Sequence, residues 1–244
     1  MVIPAWLHVL SIASLLLGAL CALVIAADLV RHPQHMWIMN VVWPVTALFG
    51  SVWIVWQYFT YGRLAEDKRA KAAMDRGQAM PSEQTPFPVL VGNGALHCGS
   101  GCTLGDIVAE WLVFLVPTIA VWFGYGSLFG ERIFAIWLVD YLFAYAFGIV
   151  FQYFTIAPMR DLGFAAGIWA AIKADTLSLT AWQVGMYGFM ALADFYLFGS
   201  LLGTRLRVDT VEFWFMMQIA MICGFLTASP VNWWLIRAGL KEKM

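Results

Sequence analysis

The stretch Leu7–Ala27 reads LHVLSIASLLLGALCALVIAA and decides the class of the protein, because none of its 21 residues is Asp, Glu, Lys or Arg. About 20 apolar residues in a row suffice to cross the hydrocarbon core of a bilayer as a helix. Five more runs follow, Met36–Tyr61, Ile107–Leu128, Ile133–Ile156, Ala181–Leu202 and Val211–Leu235, none with more than one charged residue. Backbone groups facing lipid are satisfied only inside a helix or a closed barrel, and the alternation of barrel strands is missing. The chain agrees as a whole: 62% of its 244 residues are hydrophobic and 12% charged, roughly half the charge of an ordinary soluble domain. Thirteen Trp and eighteen Phe suit a molecule with two membrane–water boundaries. The expectation is one all-α membrane domain over residues 1–244, a polytopic helix bundle with six transmembrane helices. Pro44 and Pro117 should kink two of them. The first run has the length of a secretion signal but no basic start, and Leu20 stands before Cys21 where lipoprotein processing wants a small residue. It reads as an uncleaved helix.

Basic residues near the spans set orientation. The loop 62–105 holds Arg63, Lys68, Arg69, Lys71 and Arg76, and putting it in the cytoplasm also brings Arg160, Lys173, Arg237, Lys241 and Lys243 inside. That leaves four outside, Arg31, Arg132, Arg205 and Arg207, against ten. The count requires 161–174 to lie along the cytoplasmic surface as an interfacial helix. Both termini are then cytoplasmic, in the inner (plasma) membrane of a bacterium. Capping-box spacings place helix starts at Thr103 with Asp106, Thr180 with Gln183, and Asp209 with Glu212.

The chemistry concentrates in Gly92–Glu110, which contains His97, Cys98, Cys102, Asp106 and Glu110 among five glycines. Thiolate and imidazole together suit copper(I), zinc or iron. On a helix, Cys98, Cys102, Asp106 and Glu110 step by four and form a slanted stripe. His97 joins them only if 99–101 is a loop. The plainer readings are that Asp106 belongs to a helix cap, Glu110 meets a headgroup-level cation, and the cysteines fill space as small apolar residues. Cytoplasmic thiols stay reduced, which favours metal capture over a disulfide.

At His97-Cys98-x-x-x-Cys102-x-x-Gly105-Asp106 the sequence resembles a bacterial family of multi-pass membrane proteins known only as a domain of unknown function. Ala174–Thr180 and Pro230–Arg237 extend the resemblance, which covers Gly92 to the C-terminus. It implies a membrane location and metal handling, and supplies no established reaction.

Charged groups within spans cost roughly 2.5–3.5 kcal/mol on insertion scales and point to function by default. Asp140, Asp194 and Glu212, with Met216 and Met217, belong to three spans at a similar outer depth and could converge on a cation. Thr176, Thr180, Gln183, Tyr187 and Asp194 share one face of the fifth span and could line a route inward, with Gln152, Cys223 and Thr227 extending it. Each has a bland alternative: Glu212 as a helix cap, the methionines as packing, Asp140 paired with Arg132, and Thr and Gln as interhelical hydrogen bonds.

Three function classes remain. The first is binding and transport, or delivery, of a soft transition metal ion, copper favoured over zinc. No nucleotide-binding or phosphorylation motif accompanies it, so ATP is not the drive, and whether the protein is an enzyme stays open, with a non-enzymatic role favoured. The second is a membrane oxidoreductase or cofactor-binding subunit using Cys98 and Cys102. Of the four histidines only His8 falls within a span, which disfavours a haem held by two. The third is an accessory subunit of a larger complex or a homo-oligomer. The net charge of −1 excludes nucleic acid as a partner, leaving the lipid bilayer and the metal ion.

Overall fold

The computed structural model describes residues 3–242; Lys243, counted above among the cytoplasmic charges, lies outside them. It is an all-α bundle, and six helices are long and apolar enough to cross a membrane. The eight α-helices among the described residues are, in chain order, α1 (Ala5–Arg31), α2 (Met39–Thr60), the short surface helix α3 (Asp67–Asp75), α4 (Phe87–Leu115), the single turn α5 (Thr118–Trp122), α6 (Arg132–Arg160), α7 (Phe164–Ala191) and α8 (Val211–Arg237), the six long ones being all but α3 and α5. Helix α7 continues without a gap as a π-helix, Leu192–Leu202, and Gly203 stops it at φ 63°.

Side-chain contacts fix the helix directions. His8 meets Glu212 and Ser14 meets Gln218, so α1 and α8 run parallel. Thr227 reaches Ala181 and Asn232 reaches Ser178, so α7 opposes α8. Tyr141 with Thr180 and Tyr145 with Thr176 oppose α6 to α7, and His97 with Thr155 opposes α4 to α6. We call the end where α1 begins the near end and the other the far end.

Helix α2 does not run from one end to the other. Ser51 breaks it, with φ 46° and ψ −125°, and the chain turns back. Trp43 therefore packs edge-on against Tyr58 at 5.5 Å between ring centres. In a straight helix residues 15 apart would be separated by about 22 Å. The flanking segments also pair: His35 N–H donates to the Ala65 carbonyl and Asp67 N–H to the Pro33 carbonyl. Each arm is about 14–18 Å long, against a hydrocarbon core of about 30 Å. Helix α2 is thus a re-entrant hairpin from the far end, its tip held against protein through buried Phe49 and Ile54 while Ser51 is half-buried and Val52 exposed. Gln218 serves the tip, donating from Nε2 to the Leu48 carbonyl at 2.6 Å while its Oε1 accepts from Ser14 Oγ at 2.7 Å. Gly18 lets α1 approach that carbonyl where a Cβ would collide with it.

Several expected boundaries are corrected. The third helix begins at Phe87, not 107, and ends at Leu115 before Pro117, so the loop after the second helix closes at Pro86 instead of 105. The glycines of 99–101, which would permit a loop, and Gly105 all lie inside this helix. They are helical because α4 packs backbone to backbone on α6: a Cβ on Gly101 would strike Gly148, and one on Gly105 would strike Ala144. The segment 161–174 is no separate interfacial helix, since from Phe164 it is the first part of α7. Thr103 and Thr180 lie inside helices, and Thr210, not Asp209, caps α8 by accepting from Phe213 N–H. Placing both termini on one face also fails: with α2 folded back, five helices run end to end, and Ile3 and Glu242 lie at opposite ends.

Candidate functional site

The Cys/Asp stripe of α4 faces the bundle interior. Cys98 and Cys102 are fully buried and free, one helical turn apart on α4. One turn on, Asp106 is 0% exposed; its Oδ1 accepts from Gln183 Nε2 at 3.4 Å, and its Oδ2 has no protein partner. Across the interface Asp140 of α6 is 1% exposed, and neither of its oxygens is partnered. Glu110 completes the group; it and Asp106 act electrostatically on Asp140. The expected partner of Asp140, Arg132, turns instead to the Val113 carbonyl at 2.9 Å.

Glu110 opens this interior toward the near end. It lines a vestibule of about 310 Å³ shared with Glu131, Arg132, Asp194, Arg205 and Arg207. Asp194 has the local partner that the sequence did not reveal: Arg205 at 2.7 Å, with Leu206 N–H at 3.0 Å. Arg205 also bridges to Glu131 at 3.0 Å. At the hairpin tip a second, mostly apolar cavity of about 210 Å³ is lined by Leu48, Phe49, Thr103, Asp106, Met217 and Met221, among others.

Gln183 thus joins Asp106, and Asp194 joins Glu110 at the vestibule. Other expected members stand apart. His97 points away from the thiols, its Nε2 2.9 Å from Thr155 Oγ1. Glu212 contacts His8 Nδ1 at 2.6 Å on α1. Thr176 and Thr180 bond Tyr145 and Tyr141, the interhelical role, and Tyr187 donates to the Trp137 carbonyl. Met216 is buried in the core, whereas Met217 reaches the hairpin-tip cavity. Among the described residues no three His, Cys, Asp or Glu are arranged to hold a metal ion.

Sequence reasoning missed Gln218 as the support of the hairpin, and missed Asp175 with Lys241, whose side chains are 1% and 0% exposed. A Ser three residues after Asp175, on the same helix face, was the available signal. Lys241 gave none, because a lysine beyond the last apolar run reads as a solvated charge.

Residues 90–241 match the model of a family described as a domain of unknown function, DUF4396. The match covers more than half of the chain, which belongs to this family. No curated protein and no solved structure matches it.

Proposed function

We propose that this member of the DUF4396 family transports a cation across the membrane through the interior of its bundle, and that the cargo is a soft transition metal, copper ahead of zinc. One observation carries the reading: Asp106, Glu110 and Asp140 are buried together, and three of their oxygens lack any protein partner. Burying an unpaired carboxylate costs several kcal/mol or more, and within a span such a group marks an ion pathway by default. Arg132 acts electrostatically on Glu110, but the unpartnered oxygens of Asp106 and Asp140 call for a counter-charge that no side chain bonded to them provides. A passing cation, exchanging with protons, supplies it.

The route runs from the near-end vestibule at Glu110 past Asp140 and Asp106 to Cys102 and Cys98. Two neighbouring thiols favour a soft ion, and the Met217 and Met221 thioethers beside Asp106 suit copper(I) in the same way. A third ligand for the thiol-bound ion has to come from Asp106 or from a rearrangement, because no preformed set of three is present among the described residues.

The re-entrant hairpin strengthens the orientation argument. Of the described Lys and Arg, Arg132, Arg205 and Arg207 belong to the near end, and the rest, now including Arg31, lie toward the far end. By the positive-inside rule the far end faces the cytoplasm of a bacterial inner membrane, with the C-terminal side inside and the start of α1 outside. The vestibule then faces outward.

The test is elemental analysis of the detergent-purified protein, followed by uptake into vesicles. We expect about one copper or zinc ion per chain, lost when Cys98 and Cys102 are both replaced by Ser. Asp140→Asn should abolish uptake and leave thiol-bound metal in place. Unchanged metal content in the double Ser variant would overturn the soft-metal cargo. The placement of two free, buried thiols one turn apart on α4 also favours a second reading, a dithiol redox pair. That reading expects a metal-free protein whose thiols oxidise and reduce reversibly as a pair.

A further inference from the structure

The other buried charge lies at the far end. Past α8 the chain turns at Gly239, with φ 70°, and the N–H groups of Leu240 and Lys241 both donate to the Leu235 carbonyl. This return sends the Lys241 side chain into the bundle beside α7 and α8. Its Nζ lies 3.3 Å from Asp175 Oδ1 and 3.3 Å from Ser178 Oγ. Asn232 Nδ2 donates to the same Ser178 oxygen at 2.7 Å. Gly94 of α4 lies beside the lysine, a Cβ there falling in ordinary contact with its Cε at 3.9 Å. The next residue, Glu242, pairs with Arg160 and ties the tail to the end of α6.

The pocket offers more acceptors than the lysine uses. Asp175 Oδ2 and Asn232 Oδ1 are buried without a partner, as are both amide atoms of Gln152, one turn from Gly148 on α6. Gly148 is the point where a side chain would collide with Asp175. All these groups are oxygen donors apart from one amide nitrogen, and only one is a carboxylate. Hard oxygen ligands select hard cations, and a single negative charge is balanced by a single positive one.

We propose that Asp175, Ser178 and Asn232 form a binding site for a monovalent alkali cation, in which the Lys241 ammonium is a tethered occupant that the free ion displaces. When the ion enters, the segment 238–242 leaves. The site adjoins the thiols, Gly148 lying between Gly101 and Asp175, but differs from them in ligand chemistry. It stands on this pocket alone, and a soft-metal cargo is neither needed nor excluded by it.

The test uses the full-length purified protein and radioactive sodium. A tether holds its group at an effective concentration in the millimolar range. Removing it in Lys241→Met should therefore tighten sodium binding roughly tenfold or more, to one ion per site. Adding Asp175→Asn to that variant should abolish the gain. Equal sodium binding by Lys241→Met and the unaltered protein would overturn the proposal, as would a gain that survives Asp175→Asn. A second measurement needs no variant: sodium chloride substituted for choline chloride at constant ionic strength should speed chemical labelling of the Lys241 amine, read by mass spectrometry. A labelling rate indifferent to sodium would also overturn it.

Discussion

The same bundle buries two sets of ionisable side chains and treats them oppositely. At the far end Asp175 has a cation of the protein's own, Lys241, within 3.3 Å. Toward the near end Asp106 has only an amide, Gln183, and Asp140 has no partner, while Arg132 acts on Glu110 without an ion pair to either aspartate. A buried pair is self-sufficient, and its loss shows when one member is removed. An unneutralised cluster depends on something from outside. The difference separates a place where the fold carries its own counter-charge from one where the aspartates carry none.

The comparison breaks most visibly in stability. Asp175→Asn strands a buried lysine and should cost about 3–5 kcal/mol, seen as a lower midpoint in thermal unfolding of the detergent-purified protein. Asp140→Asn should cost nothing, because it exchanges an unpartnered carboxylate for a neutral amide of the same shape. Equal destabilisation by the two would erase the distinction. Replacing Asp175 by Leu and Lys241 by Met together should recover most of the loss, since swapping a buried pair for apolar residues is neutral or stabilising by about 1–4 kcal/mol.

Gln218→Leu addresses the ground between the two sets. It leaves the Leu48 carbonyl without a donor at the hairpin tip and should cost about 1–3 kcal/mol, with hydrogen exchange rising in 48–52 ahead of the other helices. The smallest effect belongs to exposed charge. Hydrogen bonds from Lys71 and then His35 hold the Asp67 carboxyl below its ordinary value of 3.8. Its folded pKa is depressed, so its contribution is present above that value and fades as pH falls through the lower folded one. Acidification through that window should loosen 62–86 in hydrogen exchange and leave the bundle unchanged, and Asp67→Asn should remove that pH dependence.

Much of the bundle is legible in the sequence because apolar length is a one-dimensional property. Leu7–Ala27 and Val211–Leu235 lie within α1 and α8, and the α4 stripe of Cys98, Cys102, Asp106 and Glu110 is interior as its spacing implies. What escaped depends on partners distant in the chain. The glycines at 99, 101 and 105 look like loop residues until α6 and Trp182 are laid against them. The hairpin escaped for the same reason. Nothing in Phe49-Gly50-Ser51 announces a reversal, and the run 36–61 is long enough to cross. The break at Ser51, the contact of Trp43 with Tyr58 and the pairing of 33–35 with 65–67 show that it turns back. Asp194 looked partnerless because Arg205 comes to it across the end of the π-helix.

Because the hairpin descends only partway, a slice through the leaflet beside the far end cuts seven helical rods, whereas a slice through the opposite leaflet cuts five. The protein is a wedge, broader on one side of its bilayer than on the other. Such a shape is at ease where the membrane bends away from its wide face, and in a flat sheet it pushes the lipids of the two leaflets apart by unequal amounts.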